Sequence, residues 1–202
     1  EALAQALGVT LKRIDISRSV LQHFSDIGQD STRHDVVFEN SQARERTQVL
    51  MDIANKESAL VIGTGDLSEL ALGWATYNGD HMSMYGVNSS VPKTLIRHLV
   101  AYYAQSKAVL KLREVLLDVL DTPVSPELLP AKDGKISQVT EDIVGPYELH
   151  DFFLYYTIRW AYGPAKVYRI ACRSFEGVYT PQLVLKWLRV FINRFFSQQF
   201  KR

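Results

Sequence analysis

A turn with two glycines, in the letters VIGTGDLSE at residues 61–69, is the stretch of this sequence best suited to chemistry. It links a short apolar run to a predicted helix, so it exposes unpaired backbone N–H groups and the positive end of a helix dipole. Thr64 adds a hydroxyl, and the Glu69 carboxylate can hold Mg²⁺ or a ligand hydroxyl. The same letters fit a plain strand-to-helix turn with Asp66 as the N-cap. Spacing alone supports both interpretations equally.

A second candidate is the start of a predicted helix, with the letters NSQARER at residues 40–46. Asn40 suits an N-cap position. Cations are unfavourable near a helix N-terminus, so Arg44 and Arg46 need another partner. The default expectation is that these arginines form ion pairs within the protein, and the more specific alternative is that they bind an anionic ligand.

Several standard motifs are absent. No two of the eleven glycines are adjacent, no G-x-x-x-x-G-K phosphate loop occurs, and the GxG at residues 63–65 lacks the third glycine of the dinucleotide fingerprint. There is no G-x-S-x-G, and the five histidines show no metal-binding spacing. The single cysteine, Cys172, excludes an internal disulfide and suits the cytoplasm.

The overall composition narrows the class of partner. A net charge of +1 gives no bulk electrostatic support for nucleic-acid or membrane binding. No apolar run approaches the roughly 18 residues of a membrane span. The last predicted helix is basic and amphipathic, which permits a membrane-surface role. Packing against its own domain or a dimer mate is the commoner use of such a helix, so we expect neither a nucleic-acid nor a membrane partner.

The apolar pattern predicts an α/β fold with a parallel sheet and a helical C-terminal part, because strands alternate with helices up to residue 104. The stretch 75–92 is rich in Gly, Asn and Ser, and such a long connection indicates a functional loop. Predicted strands cover 9–16 and 59–62, and predicted helices cover 1–7, 17–24, 39–55, 67 onward, 93–103, 106–120, 146–160, 164–175 and 181–200, with an extended loop over 122–134.

Four blocks of sequence resemble the glutamine-dependent NAD synthetases, in the same order as in that family. They are GTGDLSELALGWATYNGDHMSMYGVNSSVPKT at 63–94, FENSQARERTQVLMDIAN at 38–55, SPELLP at 125–130 and TEDIVGPYELHDFFLYY at 140–156. The agreement runs from about residue 36 to the C-terminus.

The resemblance implies a Rossmann-like, adenine nucleotide α-hydrolase-like fold and a role in NAD biosynthesis. In that family ATP adenylates the carboxylate of nicotinic acid adenine dinucleotide and releases pyrophosphate. Ammonia, derived from glutamine in the full enzyme, then converts the acyl-adenylate to NAD and AMP. Mg²⁺ and cations offset the phosphate charge during such a step.

The resemblance also implies roles for individual residues but names no catalytic one. The positions matching ATP contacts are Thr64, Lys93 and Ser125. Glu69 matches an acidic residue assigned to Mg²⁺ or to the dinucleotide. The positions matching dinucleotide contacts are Asn40, Arg46, Trp74, Ala75, Thr76, Tyr77 and Asp80.

Three features of the family are missing from this sequence: the Ser-Gly-Gly-x-Asp-Ser pyrophosphate loop, the glutaminase domain and a C-terminal tail with a substrate-contacting lysine. We therefore expect a partial synthetase domain, with an α/β part at 1–104 that lacks the loop and a mostly helical part at 105–202. We expect a homo-oligomer, weakened ligand binding, and little or no turnover by this chain alone.

Two other functions fit parts of the sequence. One is another adenylating ATP pyrophosphatase, related to GMP or asparagine synthetases. That whole group has the pyrophosphate loop, so its absence here does not discriminate, but the sequence of residues 63–94 favours NAD synthetase. A non-catalytic oligomerisation module would use the aromatic C-terminal helices.

Overall fold

A computed structural model of the chain describes residues 1–79, 81–122 and 144–201. Most of the predicted loop over 122–134 lies outside these ranges. A π-helical turn, Tyr155–Arg159, extends the helix Tyr147–Leu154, and a 3₁₀ turn, Gln199–Lys201, follows the helix Pro181–Ser197. The α-helices are α1 Ala2–Leu7, α2 Ser17–Ile27, α3 Val36–Glu57, α4 Leu67–Leu72, α5 Lys93–Ser106, α6 Leu110–Asp121, α7 Tyr147–Leu154, α8 Pro164–Ser174 and α9 Pro181–Ser197.

The parallel sheet predicted from the sequence is present and small. Its strands are β1, Ile62–Gly63, and β2, Tyr85–Gly86, which pair in parallel. A side chain at residue 63 would crowd this pairing, because a Cβ atom there would lie 2.3 Å from Ser83 Oγ. The sheet therefore brings the glycine turn of residues 63–66 against the 83–86 segment.

Two details of the strand prediction were wrong. Residues 9–16 form no strand and pair with none among the described residues, and Val9 is 57% exposed. The run at 59–62 contributes only its last residue to β1, and Leu60 is 58% exposed. An apolar run predicts burial on both faces, but it does not specify which element covers it.

The main hydrophobic core is helical. It lies between α4, α7, α8 and α9, and Phe153 and Phe191 are fully buried at its centre. The apolar face of α9 points into this core, so that face is used inside the protein, as the commoner interpretation predicted. In the described ranges, no helix has the length and apolarity needed to cross a bilayer.

Helix α3 begins earlier than its sequence pattern predicted. Asp35 is its N-cap and accepts hydrogen bonds from the backbone N–H groups of Val37 and Phe38 at 2.9 and 3.2 Å. Asn40 is thus inside the helix, and its prediction as the N-cap was wrong. Because Arg44 and Arg46 lie more than two turns from the true N-terminus, the helix dipole no longer disfavours them.

Candidate functional site

The turn between β1 and α4 forms a capping box. The Glu69 backbone N–H donates to Asp66 Oδ1 at 2.9 Å, and the Asp66 N–H donates to Glu69 Oε2 at 3.2 Å. This reciprocal pair satisfies two backbone donors at the start of the helix. The structure thus confirms Asp66 as the N-cap, and it fixes the Glu69 carboxylate beside the glycine turn.

Lys93, the first residue of α5, pairs with both carboxylates of this capping box. Its Nζ lies 2.7 Å from Asp66 Oδ2 and 2.8 Å from Glu69 Oε1. The side chains of Lys93, Asp66 and Glu69 are 15%, 3% and 27% exposed. Two residues that the resemblance assigns to ligands therefore bind each other, and Asp66 joins them in one cluster of net charge −1.

Burial and charge act in opposite directions within this cluster. Burial raises the pKa of Glu69, and the neighbouring Asp66 carboxylate raises it further, while Lys93 lowers it; the net shift is upward. For Lys93, burial lowers the pKa, but Glu69 and Asp66 more than offset that effect and the net shift is upward. The ammonium group is therefore held firmly in its charged form.

A buried network holds α5 in position for this pairing. Asp151 on α7 accepts two hydrogen bonds through Oδ2, from the Thr94 N–H at 2.9 Å and from Thr94 Oγ1 at 2.7 Å. Ser68 Oγ donates to the other oxygen of Asp151 and accepts from the Lys93 N–H at 2.9 Å. Since Pro92, the N-cap of α5, makes no side-chain cap bond, these two residues of other helices cap α5 instead. The only sequence signal for Asp151 was an acid inside an apolar helix.

Beside the capping box lies a cavity of about 770 Å³. Such a volume falls in the range of small-molecule and cofactor sites. Its walls are α3, the turn at 61–65, the loop after α4 and the end of α9. The residues with family-matched roles that line it are Asn40, Arg46, Thr64, Glu69, Trp74, Ala75 and Thr76.

Two further residues with family-matched roles, Lys93 and Tyr77, are described by the structure but do not line this cavity. Lys93 is behind the wall and reaches the site through Glu69. The backbone carbonyl of Tyr77 accepts hydrogen bonds from Arg44 Nε and Nη2, both at 3.2 Å, so Arg44 holds the 75–92 loop against α3. Asp80 and Ser125 lie outside the described residues.

The cavity also contains residues that sequence reasoning missed. Arg194, Gln198 and Lys201 reach it from α9 and the turn that follows. Their position in the sequence, more than 100 residues after the glycine turn, gave no signal. The lining therefore carries three cations, Arg46, Arg194 and Lys201, and two acids, Glu39 and Glu69.

Few carboxylates are available for a metal ion. Among the described residues, no group of three or more His, Cys, Asp or Glu side chains is placed to bind one. The described lining of the cavity holds two carboxylates, Glu39 and Glu69. That donor set fits Mg²⁺, which takes one or two protein carboxylates and binds mainly phosphate and water oxygens.

Comparison with known proteins places the chain in a family. The NAD synthase family model matches residues 1–157. A glutamine-dependent NAD(+) synthetase of Mycobacterium leprae is 39% identical over 99% of this chain, and the match covers 33% of that relative. The chain spans about a third of the length of the curated relatives it matches.

Solved structures agree with this assignment. A glutamine-dependent NAD(+) synthetase from Cytophaga hutchinsonii superposes with a TM-score of 0.72 at 21% identity, over 99% of this chain and 31% of its own, which shows the Rossmann-like fold. One from Acinetobacter baumannii, in complex with ADP, gives 0.53 at 26% identity, over 98% of this chain and 32% of its own. With more than half of its length matched by the family model, the chain belongs to the NAD synthase family.

Proposed function

We propose that this chain is the synthetase part of a glutamine-dependent NAD synthetase, a ligase that amidates nicotinic acid adenine dinucleotide using ATP. The convergence of family-matched residues on one cavity carries the proposal. Asn40 and Arg46 come from α3, Thr64 and Glu69 from the glycine turn and α4, and Trp74 from the loop after α4. Residues without a shared role have no reason to line one cavity, whereas the residues of one binding site do.

The proposed reaction has two steps. A carboxylate oxygen of the dinucleotide attacks the α-phosphorus of ATP, the bond to the bridging oxygen breaks, and pyrophosphate leaves. Ammonia then adds to the acyl carbon, AMP leaves with the former carboxylate oxygen, and loss of a proton gives the amide of NAD. This chain's residues serve the reaction by orienting the reactants and offsetting phosphate charge.

We assign the dinucleotide to the wall formed by Asn40, Arg46 and the loop at 74–77. The cations Arg46, Arg194 and Lys201 on this lining suit a ligand that carries a diphosphate. Asp80 stays part of the proposal as a further dinucleotide contact.

We assign ATP to the side of the cavity formed by the glycine turn. Thr64 offers a hydroxyl there, and Lys93 lies one side chain behind it. The relative with bound ADP supports an adenine nucleotide as the ligand class. Glu69 would hold Mg²⁺, whose contribution is to neutralise phosphate charge. Ser125 stays part of the proposal as an ATP contact.

The wider setting also belongs to the proposal. We expect a glutaminase domain to supply ammonia, a homo-oligomeric assembly and a cytoplasmic location. We further propose that residues 1–104 and 105–202 are two parts of one synthetase domain.

Isothermal titration calorimetry tests the proposal directly. Wild-type protein is expected to bind nicotinic acid adenine dinucleotide, and separately ATP with Mg²⁺. Arg46→Gln should weaken dinucleotide binding about tenfold, since a charge-assisted contact contributes about 1.5 kcal/mol or more. Arg113→Gln, an exposed arginine on α6, is the matched control and should bind like the wild type.

Xanthosine monophosphate distinguishes this function from that of another adenylating enzyme. The proposal predicts no heat of binding from it. Tighter binding of xanthosine monophosphate than of the dinucleotide contradicts the assigned substrate. A folded protein that binds neither the dinucleotide nor ATP contradicts the proposal as a whole.

A further inference from the structure

Among the described residues, the ammonium group of Lys93 has one partner on the cavity lining and two in the interior. On the lining, Glu69 Oε1 lies 2.8 Å from Lys93 Nζ. In the interior, Asp66 Oδ2 lies 2.7 Å from Nζ, and the centre of the Tyr147 ring lies 5.2 Å from it, within the range of a cation–π contact. Asp66 and Tyr147 are both buried. Of the three partners, Glu69 is therefore the one that a ligand in the cavity can reach.

Both oxygens of the Glu69 carboxylate are already engaged. Oε1 accepts from Lys93 Nζ at 2.8 Å, and Oε2 accepts from the Asp66 backbone N–H at 3.2 Å. A divalent cation that bound this carboxylate would lie beside the ammonium group. Two positive charges so close together repel each other strongly in a partly buried site, where screening by water is weak. A metal ion and the Lys93 ammonium therefore compete for Glu69.

Lys93 can release Glu69 without losing its interior partners. Asp66 remains as a buried counter-charge, and the backbone stays in place because the Lys93 N–H donates to Ser68 Oγ at 2.9 Å. The release needs only a rotation of the lysine side chain. A nucleotide would supply further anionic oxygens, because phosphates bind ammonium groups and also complete Mg²⁺ sites that contain one or two carboxylates.

We propose that Lys93 makes the site selective for a metal–nucleotide complex over the free metal ion: without nucleotide its ammonium holds the Glu69 carboxylate, and the phosphates of ATP draw it away so that Mg²⁺ can bind there. Lys93 then keeps Asp66 as a partner and gains a phosphate oxygen. This selectivity rests on the proposed function in naming ATP and Mg²⁺. The competition at Glu69 depends on the ion pair alone, so it can be measured without any nucleotide.

Titration with Mn²⁺ alone tests the competition. Mn²⁺ takes the same oxygen ligands as Mg²⁺, and the electron paramagnetic resonance signal of the free ion reports how much is bound. Lys93→Met should bind Mn²⁺ about tenfold or more tightly than the wild type, because the ammonium no longer holds Glu69. Lys111→Met, at an exposed lysine of α6, is the matched control and should bind like the wild type. Loss of structure cannot produce a gain in affinity, so destabilisation by Lys93→Met does not imitate the expected result.

A double variant separates occupancy of Glu69 from the net charge of the cluster. Lys93→Met with Asp66→Asn loses one positive and one negative group, so its net charge equals that of the wild type, and it keeps an N-cap residue. It should still bind Mn²⁺ more tightly than the wild type, and it replaces the single variant if that one does not fold. Adding Glu69→Gln to the double variant should abolish the gain.

Calorimetry with ATP and Mg²⁺ should show the opposite change. The same double variant should bind the complex about tenfold more weakly than the wild type, because it lacks the contact between Lys93 and a phosphate. A purely structural role of Lys93 would lower the affinity for the complex and for the metal ion together. Tighter binding of free metal with weaker binding of the complex is the result specific to the proposed selectivity.

The outcomes separate this proposal from the proposed function. Mn²⁺ affinity no higher in the two variants than in the wild type, including no detectable binding to any of them, overturns the competition and leaves the proposed function standing. A gain that survives Glu69→Gln also overturns it, because the metal then binds elsewhere. Equal binding of ATP with Mg²⁺ by the wild type and the double variant overturns the selectivity. If the wild type binds neither ATP nor the dinucleotide, the proposed function fails, while the Mn²⁺ titrations still decide whether Lys93 blocks Glu69.

Discussion

Replacing Lys93 by methionine should destabilise the protein strongly. The change keeps an unbranched apolar stem as far as Cε but removes the ammonium that lies 2.7 Å from Asp66 and 2.8 Å from Glu69. Removing one partner of a fully buried pair costs about 3–5 kcal/mol, and partial exposure of Glu69 places this case near about 3 kcal/mol. At about 2–4 °C per kcal/mol for a chain of this size, the melting temperature should fall by about 9 °C.

Chemical denaturation followed by circular dichroism measures this free energy, with Lys111→Met on the exposed face of α6 as the matched control. A second substitution tests whether repulsion between Asp66 and Glu69 causes part of this loss. Adding Asp66→Asn to Lys93→Met keeps an N-cap residue and removes the repulsion between Asp66 and Glu69, so part of the lost stability should return. A loss below about 1 kcal/mol, typical of an exposed ion pair, refutes the buried-cluster reasoning.

The pH dependence gives an independent check on the same variant. The pKa of Glu69 is raised by burial and by Asp66, and lowered by Lys93. A carboxyl whose folded-state pKa exceeds its unfolded value costs stability at high pH and regains it as the pH falls through that raised pKa. Without Lys93 the pKa rises further, so the deficit of Lys93→Met should shrink as the pH is lowered from 7 toward 4.5. A deficit that stays constant over this range contradicts the assigned cause.

Three further predictions concern the framework of the site. Burial lowers the pKa of His150 to about 4, so the unfolded chain binds a proton at a higher pH than the folded protein does. The free energy of unfolding should therefore fall by about 3 kcal/mol between pH 6.5 and 4. Denaturation curves taken across that range should show no such fall for His150→Gln. Asp151→Asn should cost about 2 kcal/mol in the same assay, since its amide cannot accept every bond that Thr94 and its neighbours donate. Gly63→Ala should cost about 2 kcal/mol by overpacking, and Ser83→Gly should relieve it, because Ser83 is the side chain that a new Cβ would meet.

Local patterns predicted the helices well. Apolar spacing gave α3 from 39 to 55, against Val36–Glu57 in the structure. The letters GTGDLSE suggested Asp66 as an N-cap in one of two interpretations, and the capping box confirms that N-cap. Both signals depend on residues three or four positions apart, which is the distance over which helical contacts and caps act.

Contacts between distant segments could not be predicted from the same patterns. Lys93 meets Asp66 and Glu69 across a loop, and Arg194 meets Leu72 from the far end of the chain. The spacing of these residues in the sequence does not predict that they are in contact. The resemblance marked Lys93 and Glu69 as site residues but did not indicate that they bind each other.

The ion-pair cluster affects how the proposed site should be tested. Glu69 and Lys93 stabilise the fold through a partly buried contact, so a substitution at either one changes stability and any ligand contact together. A loss of binding in those variants is therefore ambiguous unless unfolding is measured at the same temperature. Arg46 lines the cavity from α3 and lies outside that cluster. Its substitution, compared with Arg113→Gln, separates ligand recognition from the effects of the ion-pair cluster on folding.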